Sequence, residues 1–288
     1  MASGPRTDRN QNGMTHTLEA GAGGSGFPAS ITNRVAAHEV LTTFFRAHDG
    51  AQHPSALARF FGRDILTSMS RPLYADVRAA LAIAHALDSL DDEWSVLHAM
   101  PMATGENNID HLLIGPGGVF ALTVAYHSDE SVRVAQGSFE VAGSSHNHIR
   151  SSGFEVGHVE RLLGAAVQSQ VTATGVIVVV DPKSVVVHGV PRDVAIVPAD
   201  DLVAWLHQLP MRLSAMDVEQ LVHAAECPAT WIDGVMPVGV STDLHARFLD
   251  VVRYSRRAEN IRRLWIVAAI TVIAAAFSLW ACALVMFE

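Results

Sequence analysis

Apolar positions are densest between residues 95 and 126, where three strand-like runs stand close together, at 95–97, 109–114 and 119–126. Gly115-Pro116-Gly117-Gly118 joins the last two. Proline presets φ and glycine admits positive φ, so this tetrapeptide predicts a tight turn and the flanking runs an antiparallel hairpin. Residues 131–134 and 139–141 read as short strands around Gly137, followed by a polar loop over 143–148. The stretch 175–180, GVIVVV, is a continuous β-branched run, as suits a strand buried on both faces. Two more short strands are predicted at 185–188 and 194–197.

Helical periodicity fills the gaps. Residues 31–68 carry two helical patterns. Val35, Val40, Leu41 and Phe44 share a face in the first. Leu57, Phe60, Phe61, Ile65 and Leu66 crowd the second, with Pro54 placed at its start. Further helices are expected over 73–90, 155–167, 200–209 and 214–226, the last opened by Ser214 and Asp217 at capping-pair spacing. Residues 241–263 read as one more helix, with Leu244, Phe248, Val251 and Val252 on a shared face; a stalk and a homodimer seam are both open there. The helix-sheet-helix alternation predicts an α/β fold, one central mixed sheet flanked by helices. No internal repeat is visible.

The end of the chain changes the picture. Residues 264–287 run for 24 positions without a charge. At about 1.5 Å per residue they span roughly 36 Å, against a hydrocarbon core of about 30 Å. Trp265 and Trp280 stand toward the two ends, like an aromatic belt. Arg253, Arg256, Arg257, Arg262 and Arg263 precede the run and only Glu288 follows. The positive-inside rule then predicts a single-pass cell-membrane protein whose N-terminal body is cytoplasmic. Residues 1–30, polar and glycine-rich, have no apolar segment of secretory type and read as a disordered tail.

The hairpin also carries a resemblance. Asn107-Asn108-Ile109-Asp110-His111 through Phe120 resembles the signature hairpin of the nuclease-related (NERD) domain, within the PD-(D/E)XK nuclease superfamily. The likeness extends over roughly 74–231 and implies a restriction-endonuclease-like body at 71–232. A helical region, 31–70, would then precede the body, and a linker with juxtamembrane helix, 233–263, would follow it. In that pattern the first strand opens Ile-Asp-His and the second ends Glu-x-Lys. The family's Glu falls on Thr123 and its Lys on Ala125. The pattern's Gly-Glu at the start of a helix falls on Ala75-Asp76, its helix-opening Gln on Glu155, and its closing Thr-Trp on Thr230-Trp231. Asp110, Asp76 and Glu155 are thus what a catalytic centre would retain, with Asp110 the candidate metal ligand.

A centre of this type needs an Asp and a Glu to hold Mg²⁺ and a Lys to stabilise the reacting phosphate. Thr123 offers at most a hydroxyl and Ala125 nothing. The resemblance therefore implies an inactive scaffold without a cofactor, used for binding or regulation of an unidentified protein partner. The alternative is a Mg²⁺-dependent DNA endonuclease with a rearranged centre. Lys183 is the only lysine and sits in the turn sequence Asp181-Pro182-Lys183. Residues 91–210 hold 14 acidic against five basic side chains, a balance that disfavours nucleic acid. His146 and His148 form a pair on a polar stretch, but two ligands without a third make a poor metal site. Cys227 and Cys282 suggest no disulfide framework, and no Gly-x-Ser-x-Gly elbow is present.

Overall fold

The computed structural model describes residues 36–50, 54–102, 108–127, 129–135, 137–189, 193–231 and 242–286. The tail expected at 1–30 and the first face residue Val35 lie outside these. The strands are β1 (Ser95–Pro101), β2 (Asn108–Gly115), β3 (Gly118–Tyr126), β4 (Ser131–Ala135), β5 (Ser138–Val141), β6 (Ser144–His146), β7 (Ala173–Val180), β8 (Ser184–Val187) and β9 (Val194–Pro198). They form two mixed sheets where the sequence suggested one. The main sheet has the order β1-β2-β3-β7-β9 and the smaller one β6-β5-β4-β8.

The hairpin forms as expected. β2 and β3 pair antiparallel from His111 opposite Leu122 to Gly115 opposite Gly118. Gly118 takes φ 135°, open to glycine alone in practice, and a Cβ on Gly115 would meet the Trp94 ring at 2.4 Å. The glycines therefore let the turn close under an indole. β7 pairs parallel with β3 on one side and β9 on the other. This central place explains its unbroken apolar run.

Helices cover both faces. α4 (His148–Val167), α6 (Ala215–Glu226) and α7 (Pro228–Trp231) pack on one through Val156, Val159, Leu163, Leu221 and Trp231. On the other lie α3 (Ser70–Leu87) and α5 (Leu202–His207), through Ala79, Ile83, Leu87, Leu202 and Leu206. Ser214 caps α6 in a reciprocal box with Asp217.

Several expectations need correction. Residues 144–146 are strand β6 rather than loop, and α4 begins at His148, seven residues before the predicted start. β6 has no apolar signal because all three residues are exposed at a sheet edge. The turn of α4 before Glu155 reads as polar because most of its side chains are exposed. α3 starts at Ser70, so Asp76 lies in its second turn and not beside the positive helix end. The second pattern in 31–68 yields only the short helix α2 (Ala56–Phe60), capped by Ser55 and not started by Pro54. Leu57, Phe60 and Phe61 are exposed rather than core.

α8 (Thr242–Met286) is continuous from the body into the apolar run. Its Leu244, Phe248, Val251 and Val252 face packs on Phe44 and Leu41 of α1 (His38–Asp49) and on Val77 of α3. That face is covered within the chain, so it is neither a free stalk nor an open seam. Beyond Trp265 the large apolar side chains described, among them Ile266, Ile270 and Ile273, stand exposed. Among the described residues, this one helix is long and apolar enough to cross a membrane.

Candidate functional site

The ladder between β2 and β3 ends at His111 opposite Leu122, leaving Asp110 in line with Thr123 one step beyond. The Asp110 side chain takes over there: its Oδ2 accepts the Val124 N–H at 2.9 Å. On the same face, the Thr123 hydroxyl donates to Glu155 Oε2 at 2.7 Å, reaching across to α4. Ala125 follows two residues on and is buried against Val132 and Phe139 of the second sheet. Alternation along β3 thus puts Thr123 and Ala125 on one face, beside Asp110 and Glu155.

Both carboxyls hold protons more tightly than usual. Asp110 is pushed up to about 6, mainly by burial; the Val124 N–H pulls the other way and the charge of Glu39 adds to the rise. Glu155 is pushed up to about 7, by burial first, with the Thr123 bond opposing and the Asp110 charge adding.

Glu39 is the carboxylate that sequence reasoning missed. It lies in the first turn of α1, and its Oε2 accepts the N–H of Asn108 at 3.1 Å, where β2 begins. In sequence it looks like any acidic residue favoured at a helix start. No motif signals a contact made across 69 positions.

The structure does not bring Asp76 to this group. α3 covers the opposite face of the sheet, and burial alone raises the Asp76 pKa, with no charge or hydrogen bond from Asp110 or Glu155. Lys183 is exposed after β7, its backbone N–H bonded to Glu130 O at 2.9 Å beside the smaller sheet. A divalent ion at Asp110 would find the Glu155 carboxylate nearby, each side chain already holding a donor, and a neutral Thr hydroxyl. That is a poor fit to Mg²⁺, which favours several hard, anionic oxygens in near-octahedral array. Among the described residues no group of three or more His, Cys, Asp or Glu side chains is arranged to hold a metal.

Two histidine groups complete the picture. His146 and His148 do acquire a third neighbour, His127 at the end of β3. His127 Nε2 lies 3.4 Å from His148 Nε2, and the His146 and His148 rings stack with centroids 5.7 Å apart. Burial, then the charges of His127 and His146, pushes His148 down to about 4. On the other face of β2, the fully buried His111 meets His98 of β1, Nδ1 to Nδ1, at 2.8 Å. Burial and the His98 charge push His111 down to about 3. The conspicuous His of Asn107-Asn108-Ile109-Asp110-His111 is thus a neutral core residue.

Residues 76–180 match the family model of the nuclease-related domain, NERD, a family of the PD-(D/E)XK kind. The match runs from Asp76 within α3 through the hairpin and α4 to the end of β7, and stops short of the 74–231 span suggested by the resemblance. No curated protein and no solved structure gives a significant match.

Proposed function

We propose that this chain, whose residues 76–180 form a NERD domain, is a membrane-anchored and catalytically inactive nuclease relative that serves as a binding or regulatory module. One observation carries the reading: the strand face that should offer a carboxylate and an amine offers Thr123, whose hydroxyl is donated to Glu155, and Ala125, which is buried. Without the amine, β3 itself offers no cation to a phosphate there. Loss of one such electrostatic group costs about 10²–10³-fold in rate. The net charge of −9 also opposes binding to a phosphate backbone.

A second reading has one observation in its favour. Glu155 reaches from α4 to the place of the missing strand Glu, so it could replace that ligand in a rearranged endonuclease. Plasmid cleavage by the purified chain in Mg²⁺ or Mn²⁺ separates the two. The expected result is no cleavage, unchanged by Asp110→Ala. Nicking that disappears in Asp110→Ala would establish the rearranged nuclease instead.

Anchoring rests on the exposed apolar half of α8 and on the five arginines before it, which hold the body on the cytoplasmic side. Protease added outside intact cells should leave the body whole. Digestion of the body from outside would reverse this orientation.

A further inference from the structure

Beside the start of the apolar run, α2 and the residue that caps it present three large hydrophobic side chains to solvent: Leu57, Phe60 and Phe61, at 69%, 59% and 52% exposure. A soluble surface rarely concentrates apolar area in this way without a partner for it. The placement is fixed from several sides. Trp265 Nε1 donates to Phe60 O at 2.9 Å, and the Trp265 ring lies 5.3 and 5.2 Å from those of Phe60 and Phe61. Gly62, at φ 75°, lies so close to α8 that a Cβ would come within 2.6 Å of both Ala258 O and Arg262 N. Backbone cannot move aside as a side-chain tip can, so only glycine permits this approach. Asp64 Oδ2 accepts from Ser255 Oγ at 3.0 Å. The segment is therefore clamped along α8 from Ser255 to Trp265, level with the point where charged residues give way to the apolar run.

We propose that α2 and its following turn form a wedge into lipid: Leu57, Phe60 and Phe61 enter the interfacial layer of an anionic phospholipid bilayer, the one α8 crosses. The inference rests on the membrane reading of α8 and adds a second, non-spanning contact. Trp265 is an interface residue by chemistry, an apolar ring with one polar N–H, and its partners must share its depth. Arg59 and Arg63 flank the aromatic pair and are exposed, as are Arg262 and Arg263 at the same level of α8. Guanidinium groups beside buried aromatics are what an anionic headgroup layer attracts, in the manner of an interfacial amphipathic helix. The consequence is orientation. A single helix leaves the body free to swivel, whereas a second foothold fixes which face of the NERD domain looks toward the membrane.

The test uses the full chain with Cys227 and Cys282 replaced by Ser, reconstituted in vesicles of phosphatidylglycerol and phosphatidylcholine. Leu57→Cys, Met216→Cys and Ile273→Cys each carry an environment-sensitive fluorophore. All three positions are exposed, so labelling disturbs no packing in the body. Lipids bearing a nitroxide near the headgroup or deep in the acyl chain report depth by quenching. The expected result is quenching of position 57 by the shallow nitroxide, of 273 by the deep one, and of 216 by neither. Quenching at 273 with position 57 as protected as 216 would overturn the wedge and leave the span standing. Absence of quenching at 273 would overturn the span, and the wedge with it.

Discussion

In mild acid the wild-type protein should lose stability that His111→Leu retains. His111 is wholly buried between β1 and the core of the main sheet, and its pKa falls from 6.5 to about 3. An unfolded chain would take up a proton there at about 6.5 and the folded chain only near 3. Between those values the unfolded state binds more protons, so stability from this residue is complete above pH 6.5 and drains away as pH falls toward 3. At pH 5 the loss is about 2 kcal/mol, since each unit is worth about 1.4 kcal/mol. Leucine fills similar space and does not titrate, and His98, being partly exposed, can turn to water in place of its lost partner. Urea midpoints of both proteins at pH 7.5 and pH 5 check this. The gap between them should move toward the variant on going to pH 5; a gap that ignores pH would refute the account. Asp110 and Glu155 titrate in the same window with opposite sign, but they are present in both proteins and cancel in the comparison.

What the sequence revealed follows from how local each signal was. The hairpin is legible because Gly115 to Gly118 punctuate two apolar runs with no residue wasted between them. β7 is legible because both its neighbours are parallel strands, which forces an apolar side chain at nearly every position. Asp110, Thr123, Ala125 and Glu155 could be placed near one another because strand alternation and the family pattern agree. The smaller sheet could not be foreseen. β4 pairs parallel with β8 across 53 positions, and neither strand announces its partner. The same holds for Glu39, which joins the site from α1, and for His127, which joins His146 and His148 only once β3 and β6 converge. Asp76 is the opposite case. The resemblance pointed to it from a matching place in sequence, yet its helix lies across the sheet from Glu155. Leu57, Phe60 and Phe61 look like core by composition alone, because hydrophobicity does not say whether protein or lipid covers a side chain.

Glu155→Gln should stabilise the protein above neutral pH and leave it nearly unchanged at pH 4. The Glu155 carboxyl is raised to about 7 from an unperturbed 4.5, so from 4.5 to 7 the folded chain holds the extra proton. Stability from this group is therefore greatest below 4.5 and falls as pH rises through 7, the reverse of His111. Above 7 a charged carboxylate sits half-buried beside Asp110, at a penalty of about 1–3 kcal/mol. Glutamine is a close mimic of the protonated acid, and its carbonyl still accepts the Thr123 hydroxyl. Unfolding midpoints should nearly coincide at pH 4 and separate in favour of the variant at pH 8. A variant less stable at pH 8 would mean that the ionised carboxylate has a partner that burial and the Asp110 charge do not describe. Mg²⁺ supplies the discriminating arm. If the centre is inactive as proposed, millimolar Mg²⁺ at pH 8 leaves the wild-type midpoint where it was. If it raises that midpoint and leaves Glu155→Gln unmoved, Asp110 and Glu155 bind the cation together, and the rearranged endonuclease becomes the better reading. Native proteins often tolerate such a local penalty where like charges serve a function. Here Ala125 sets no amine on the strand beside the Asp110–Glu155 pair, so the penalty stands uncompensated from that strand, and the pair is where a bound cation would register first.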